Sequence, residues 1–174
     1  NEQIIGYGKP DYDNNAANLE AQKQEEESTG ASGLAGKILE KAFSQRGIRE
    51  DSNGWTKYGQ WYNDNIDSGG FATAHWCAMF VSWCANEVGI PTDVIKPFAL
   101  CTDGVAYFKS IGVWHEKGEY TPKPGDVIFF NFGGTRIDHV GLVEYVKDGY
   151  VHTVEGNTDD MVARRQYPLN SSYV

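Results

Sequence analysis

His75-Trp76-Cys77-Ala78-Met79-Phe80-Val81-Ser82-Trp83-Cys84-Ala85-Asn86-Glu87-Val88-Gly89-Ile90 is apolar around most of its circumference when wound at helical spacing. Cys77, Phe80, Val81, Cys84 and Val88 form one stripe, and Trp76, Met79 and Trp83 form a second. Only Ser82, Asn86 and Glu87 remain for a narrow wet edge, the pattern of a helix packed on most sides. Gly89 suits the left-handed position after the last turn, Ile90 can fold back as its apolar contact, and Pro91 stops continuation. A start near Trp76 puts Cys77 in the first turn, where unpaired backbone N–H groups and the helix dipole favour a thiolate. Taken singly, a cysteine is most simply a small buried hydrophobe. That reading fits Cys84, further along the stripe, and leaves Cys77 as the candidate nucleophile.

Upstream of this helix, Trp55, Tyr58, Trp61 and Tyr62 recur at spacings of three and four. Core packing under the central helix is the reading for Trp55, while Tyr58 or Tyr62 could turn a hydroxyl toward the site. Leu34, Ile38, Leu39, Ala42 and Phe43 mark an earlier helix ended by Gly47. Residues 1–33 are polar or small with almost no apolar periodicity and read as a linker or N-terminal arm, so the globular domain is expected over 34–174. Ile4-Ile5-Gly6-Tyr7-Gly8 is an apolar island inside that arm.

Downstream, Pro91 to Pro97 reads as a loop and Val105 to Ile111 as a short helix closed by Gly112. The apolar period then falls to two. Strands are expected at Asp126–Phe130, His139–Val146, Tyr150–Glu155 and Val162–Tyr167, the second apolar on both faces as a central strand would be. Helices followed by an antiparallel meander make an α+β plan. The turn between the middle strands controls which polar groups meet. A three-residue Lys147-Asp148-Gly149 loop, with Gly149 left-handed, puts Asn157 across from His139 and Glu155 across from Gly141. Gly141 has no side chain, so Glu155 could lean toward the imidazole. A two-residue turn without a compensating bulge would place Glu155 on the opposite face. The three-residue loop is the expectation.

The chain has 174 residues, enough for one domain with a real core, and a net charge of −9 without a basic stripe. That argues against a nucleic-acid partner. No apolar run is long enough to span a bilayer, so no membrane insertion is expected. Asn1 in place of an initiating Met reads as a processed piece, expected to be one module of a larger multidomain protein. Three cysteines without C-x-x-C spacing give no zinc site. A Cys84–Cys101 disulfide is allowed by arithmetic, but two buried thiols fit better.

A base for Cys77 must come from four histidines. His115 sits in a charged turn and reads as surface. Strand alternation places His152 on the face opposite Glu155. His75, two residues from Cys77, could line the cleft, but a neighbour at that spacing points elsewhere in helix or strand. His139 opens a strand with Glu155 and Asn157 one strand over, either of which could hold its ring. Glu144, Asp138 and Asp126 are the competing carboxylates, each otherwise a solvated strand end, and Arg164-Arg165 reads as an edge pair facing solvent. A thiolate, an imidazolium and a third group fixing the ring are what acyl transfer requires, with the Cys77 N–H as one oxyanion donor.

With these residues in view, the sequence resembles the CHAP domains, cysteine- and histidine-dependent amidohydrolases and peptidases related to NlpC/P60 and papain-like folds. The resemblance rests on Trp76 to Asn86, Pro124-Gly125-Asp126-Val127-Ile128-Phe129-Phe130, Asp138 to Glu144 and Glu155-Gly156-Asn157, and covers roughly residues 34 to 174. It implies a nucleophile at Cys77, a base at His139, and Glu155 as orienting residue with Asn157 beside it. It also implies peptidoglycan as substrate, cut at an N-acetylmuramoyl-L-alanine amide or at a peptide bond of the stem or cross-bridge, outside the cytoplasm at the cell wall. Trp76 and Tyr58 are the candidate substrate-binding residues, and no cofactor is expected. Some phage-derived members bind calcium through a carboxylate-rich loop before the nucleophile. Asp64-Asn65-Ile66-Asp67-Ser68-Gly69-Gly70 lacks that alternating pattern, so no metal is expected. Members of this type often end on an apolar Ile-Gly-Tyr-Gly segment, whereas here such a segment opens the chain. It is expected to be either the tail of a preceding repeat or a segment that packs on this domain, in cis or from a neighbouring molecule. A catalytically silent wall- or partner-binding module, and a same-fold hydrolase acting on other amides or esters, stay open as alternatives.

Overall fold

The computed structural model describes residues 3–12, 33–133 and 136–170. In chain order the elements are β1 (Gln3–Gly8), α1 (Leu34–Ser44), α2 (Lys57–Asn65), a 3-10 turn (Phe71–Thr73), α3 (Cys77–Glu87), α4 (Cys101–Ser110), β2 (Trp114–Glu116), β3 (Val127–Asn131), β4 (His139–Lys147), β5 (Tyr150–Thr158) and β6 (Met161–Pro168). All strands join one sheet in the order β2-β1-β3-β4-β5-β6, with every pairing antiparallel. Helices packed on an antiparallel sheet make the protein α+β.

The central helix forms where its apolar circumference demands. Every residue from Cys77 to Ala85 is buried, because α3 is enclosed by β4 and β5 on one side and by α1 and α2 on the other. Burial of a single side chain such as Phe80 contributes roughly 1.5–3 kcal/mol, so this helix anchors the domain. It ends as its sequence requires: Gly89 is left-handed at φ 73°, and the Ile90 N–H donates to the Ala85 carbonyl at 2.9 Å. Ser82 departs from the expected wet edge. It is buried, its hydroxyl lies 3.0 Å from the Ala78 and Phe98 carbonyls, and it accepts from the Phe98 N–H at 2.9 Å. Those bonds fasten the loop that leads into α4.

Two boundaries differ from the sequence reading. Residues 3–8 are no linker: β1 lies between β2 and β3, with Ile4 opposite Phe130 and Gly8 opposite both Val127 and Trp114. The folded unit therefore extends upstream of residue 34, and the apolar island packs on this domain's sheet in cis. Its glycines, which weaken a strand pattern, are required by close packing. A Cβ on Gly6 would lie 2.4 Å from the Trp114 ring, and one on Gly8 would lie 2.4 Å from the Phe108 ring. The rest of the expected linker, residues 13–32, falls outside the described residues. Likewise α4 starts at Cys101 and not near Val105. Gly104 sits inside the helix, where a Cβ would meet Phe98 at 2.7 Å.

The hairpin between β4 and β5 corrects the expected loop while keeping its consequence. Asp148 and Gly149 form a two-residue turn, both left-handed at φ 52° and 80°, with Lys147 paired to Tyr150. This is the turn whose twist suits a hairpin. The register then shifts between Val143 and Tyr145, so that Leu142 faces Val154. The bulge at Glu144 supplies the extra residue that a longer loop would have given.

The sheet has two apolar faces. Val127, Phe129, Val140, Leu142 and Val154 pack against the helices, while Ile4, Tyr7, Ile128, Phe130, Val143, Val151 and Tyr167 form a smaller cluster on the other side. Trp55, expected in the core, is 42% exposed and donates its indole N–H to Gln60 at 3.0 Å.

Candidate active site

Cys77 is the first residue of α3, whose start carries no side-chain cap. The first-turn N–H groups of a helix lack carbonyl partners within it and place positive potential there. Gly156 lets this helix end reach the sheet: a Cβ there would lie 2.6 Å from that of Phe80 and 2.8 Å from the Trp76 ring. His139, the first residue of β4, faces Phe130 across the ladder, and its ring packs 5.1 Å from that of Phe132.

Glu155 on β5 accepts from His139 Nε2 at 2.7 Å and is fully buried. Gly141 makes this approach feasible, since a Cβ there would sit 2.6 Å from Glu155 Cγ. Two hydroxyls hold the carboxylate: Thr153 donates to Oε1, and Tyr167 donates to Oε2 at 3.2 Å. With Nε2 engaged by Glu155, Nδ1 is left for the hydrogen bond between His139 and Cys77. Burial alone would push the His139 imidazolium down. The hydrogen bonds and negative charges of Cys77 and Glu155 outweigh it and raise the group to about 10.

The Cys77 thiol is shifted the other way, well below the ordinary thiol range. A hydrogen bond with Cys101 is the foremost cause; burial opposes it, and His139 and the Ala78 N–H reinforce it. The two sulfurs are 3.9 Å apart. All three cysteines are free thiols, so Cys101 neighbours Cys77 and is not bonded to Cys84. At Cys84 burial prevails over the opposing charges of Lys41 and Lys57, and the thiol is pushed well up. Thiolate and imidazolium are thus the favoured forms of the Cys77–His139 pair near neutral pH.

The triad opens on a cleft of about 890 Å³ lined by Cys77, Cys101 and His139, together with His75, Leu100 and Phe132. Asn157 also lines it, left-handed at φ 57°, with its amide 3.4 Å from His75 Nδ1. The choice between Glu155 and Asn157 as partner of the His139 ring therefore falls to Glu155. His75, set aside as a base but allowed as a cleft residue, lines the cleft. Arg165, expected to face solvent, does so too, paired with Asp159, while Arg164 forks onto Glu144 and contacts the Phe43 ring.

Two expected substrate contacts are closed off. Trp76 and Tyr58 are fully buried and stacked on each other with centroids 5.2 Å apart. Trp76 donates its indole N–H to Glu50 at 2.8 Å and Tyr58 its hydroxyl to Gln45 at 3.2 Å, so neither presents a surface to the cleft. Among the other candidates, His115 stacks on Tyr120 and His152 on Tyr145. Asp126 is no solvated strand end: it is buried and accepts from the Tyr120 hydroxyl and the Lys123 N–H. Among the described residues, no group of three or more His, Cys, Asp or Glu is placed to hold a metal ion, and no helix is long and apolar enough to cross a membrane.

Sequence reasoning missed Thr153, Tyr167 and Cys101. Strand alternation carried a signal for Thr153, two residues before Glu155 on one face. Tyr167 carries none without the β5–β6 register, and Cys101 none without the true start of α4.

A thiol at a helix N-terminus, set against a histidine and a carboxylate from adjacent antiparallel strands, defines the class of thiol-centred α+β sites suited to acyl transfer. The CHAP domain family model matches residues 66–157, more than half of the chain and inclusive of Cys77, His139, Glu155 and Asn157. The chain belongs to the CHAP domain family, and this membership points to an amidase or peptidase role on peptidoglycan. Comparison with curated proteins and with solved structures returns no match.

Proposed function

We propose that the protein hydrolyses an amide bond of peptidoglycan, either N-acetylmuramoyl-L-alanine or a peptide bond of the stem or cross-bridge, by a Cys77–His139–Glu155 thiol mechanism. The observation that carries this reading is the His139 imidazole, held through Nε2 by a fully buried carboxylate 2.7 Å away, lining one cleft with the Cys77 thiol at the start of α3. The Cys77 thiolate attacks the carbonyl carbon, and the oxygen gathers negative charge beside the first-turn N–H groups of α3. His139, held in orientation by Glu155, gives its proton to the leaving amine as the C–N bond breaks. Water then attacks the thioester, His139 takes its proton, and the acid leaves with the Cys77 thiolate restored. Asn157 and His75 stand on the cleft wall as candidate substrate contacts. The site of action is the cell wall, reached as one module of a larger exported, phage or conjugation protein.

The test is digestion of purified peptidoglycan sacculi by wild type and Cys77→Ala, with mass spectrometry of the soluble fragments. Release by the wild type alone is expected, and the new termini tell amidase from endopeptidase. Equal release by both proteins would remove Cys77 as nucleophile. No release by either, across several wall chemistries, would turn the assignment toward a silent binding module or another amide.

A further inference from the structure

Cys101 is a second thiol at the reacting centre for which the mechanism above has no use. It is the first residue of α4 as Cys77 is the first residue of α3, so the N-termini of two helices converge on one pair of sulfurs. The pair is 3.9 Å apart, within reach of an S–H···S hydrogen bond and far beyond the roughly 2.05 Å of a disulfide. Both sulfurs are buried and both residues line the cleft.

Only one of the two has a base. His139 lines the cleft with Cys77 and is among the groups that lower its thiol, and Glu155 stands behind the imidazole. The titratable groups that act on Cys77 are His139 from β4 and Cys101 from α4, Asp138 acts in turn on Cys101, and His75 lines the same cleft. When His139 takes the Cys77 proton, the remaining proton of the sulfur pair belongs to Cys101, which can then only donate. Building on the proposed nucleophilic role of Cys77, we infer that Cys101 is a positioning residue whose S–H donates to the Cys77 sulfur and holds it as a thiolate. The directions of titration agree. The hydrogen bond with Cys101 leads the causes that lower Cys77, while Cys77 and burial drive Cys101 well above the ordinary thiol range. A thiol is a weak donor to neutral acceptors, but hydrogen bonds to an ionised acceptor are roughly twice as strong.

This role has a kinetic signature that a packing role lacks. The bond is strongest to the free thiolate and fades as sulfur charge moves to the carbonyl oxygen. It enlarges the thiolate fraction at low pH while lowering the intrinsic nucleophilicity of each thiolate, as the dependence of thiol reactivity on pKa requires.

The experiment titrates Cys77 by its rate of iodoacetamide alkylation against pH, mapped by peptide mass spectrometry, in wild type and in Cys101→Ala, Cys101→Val and Cys101→Ser, each checked for folding by circular dichroism. No peptidoglycan is needed, so failure of the substrate reading and failure of this inference are separable. The two variants without a donor are expected to move the Cys77 midpoint up by about one unit. Cys101→Ser, whose hydroxyl donates, is expected to titrate close to wild type, and it alone decides the matter if the others do not fold. On sacculi, the non-donor variants should lose rate in the acid limb and match or exceed wild type once fully ionised. Non-donor variants that titrate with wild type, or a serine variant shifted to the ordinary thiol range, would overturn the inference.

Discussion

Cys77 and Cys84 occupy one helix, two turns apart, and both are buried at 5% and 0% exposure. Burial raises a thiol, and Cys84 is raised because its burial outweighs the opposing charges of Lys41 and Lys57. Cys77 goes the other way because its position on the helix differs and its depth hardly does. It has the Cys101 thiol, the His139 ring and the Ala78 N–H of the first turn of α3, where Cys84 has the middle of a helix whose N–H groups are already used. Within one element of uniform hydrophobicity, the location of unsatisfied donors separates a reactive thiol from an inert one.

The largest effect expected from this contrast is on activity. Cys77→Ala should lower sacculus digestion by at least about 10³-fold, whereas Cys84→Ala should leave it within a few-fold and lose only about 1–2 kcal/mol of stability to the cavity. Digestion assays and urea denaturation check the pair; comparable activity losses in both would erase the distinction. Glu155→Ala comes next. It removes the carboxylate that His139, Thr153 and Tyr167 share, and kcat/KM should fall by roughly 10²–10⁴-fold, with Glu155→Gln intermediate, as read by steady-state kinetics.

The pH profile sharpens the same comparison. His139 is raised to about 10, so kcat/KM should be sustained through neutral pH and fall as pH rises through about 10, where the imidazolium loses its proton. The acid limb should lie below the ordinary thiol range, because Cys77 is lowered and protonates only there. An alkaline limb near the ordinary histidine value would show that the ion pair does not form. Smaller still are the packing effects. Gly156→Ala should destabilise by about 1–3 kcal/mol through the clash with Phe80, measured by thermal or urea unfolding. Tyr58→Phe should cost about 1 kcal/mol for the hydroxyl bond to Gln45 and leave kcat unchanged, since that hydroxyl points away from the cleft.

What could be read from the sequence follows the same division. Cys77 was legible because helix ends announce themselves locally, through the stripe that starts at Trp76 and the Gly89–Pro91 stop. His139 and Glu155 were legible through strand alternation, and their meeting survived a wrong turn length because the bulge at Glu144 restored the register. Side-chain direction within a buried cluster was not legible. Tyr58 and Trp76 have the composition of a binding surface, yet each donates its polar atom to a partner in the interior. β1 was hidden because Gly6 and Gly8 mimic a linker while serving close contacts with Trp114 and Phe108, residues about a hundred positions away. Cys101 was hidden by Gly104, which lies inside α4 because Phe98 and Phe129 leave no room for a Cβ.

Partners gathered at the start of α3, with Cys101 foremost, and not depth of burial, make one thiol reactive. The most direct measurement is alkylation of Cys77 and Cys84 in the same native sample across a pH series, with each site quantified by peptide mass spectrometry. Cys77 is expected to label with a midpoint below the ordinary thiol value, while Cys84 stays unlabelled until the protein is unfolded. Labelling of both sites together, or a Cys77 midpoint at or above the ordinary thiol value, would contradict it.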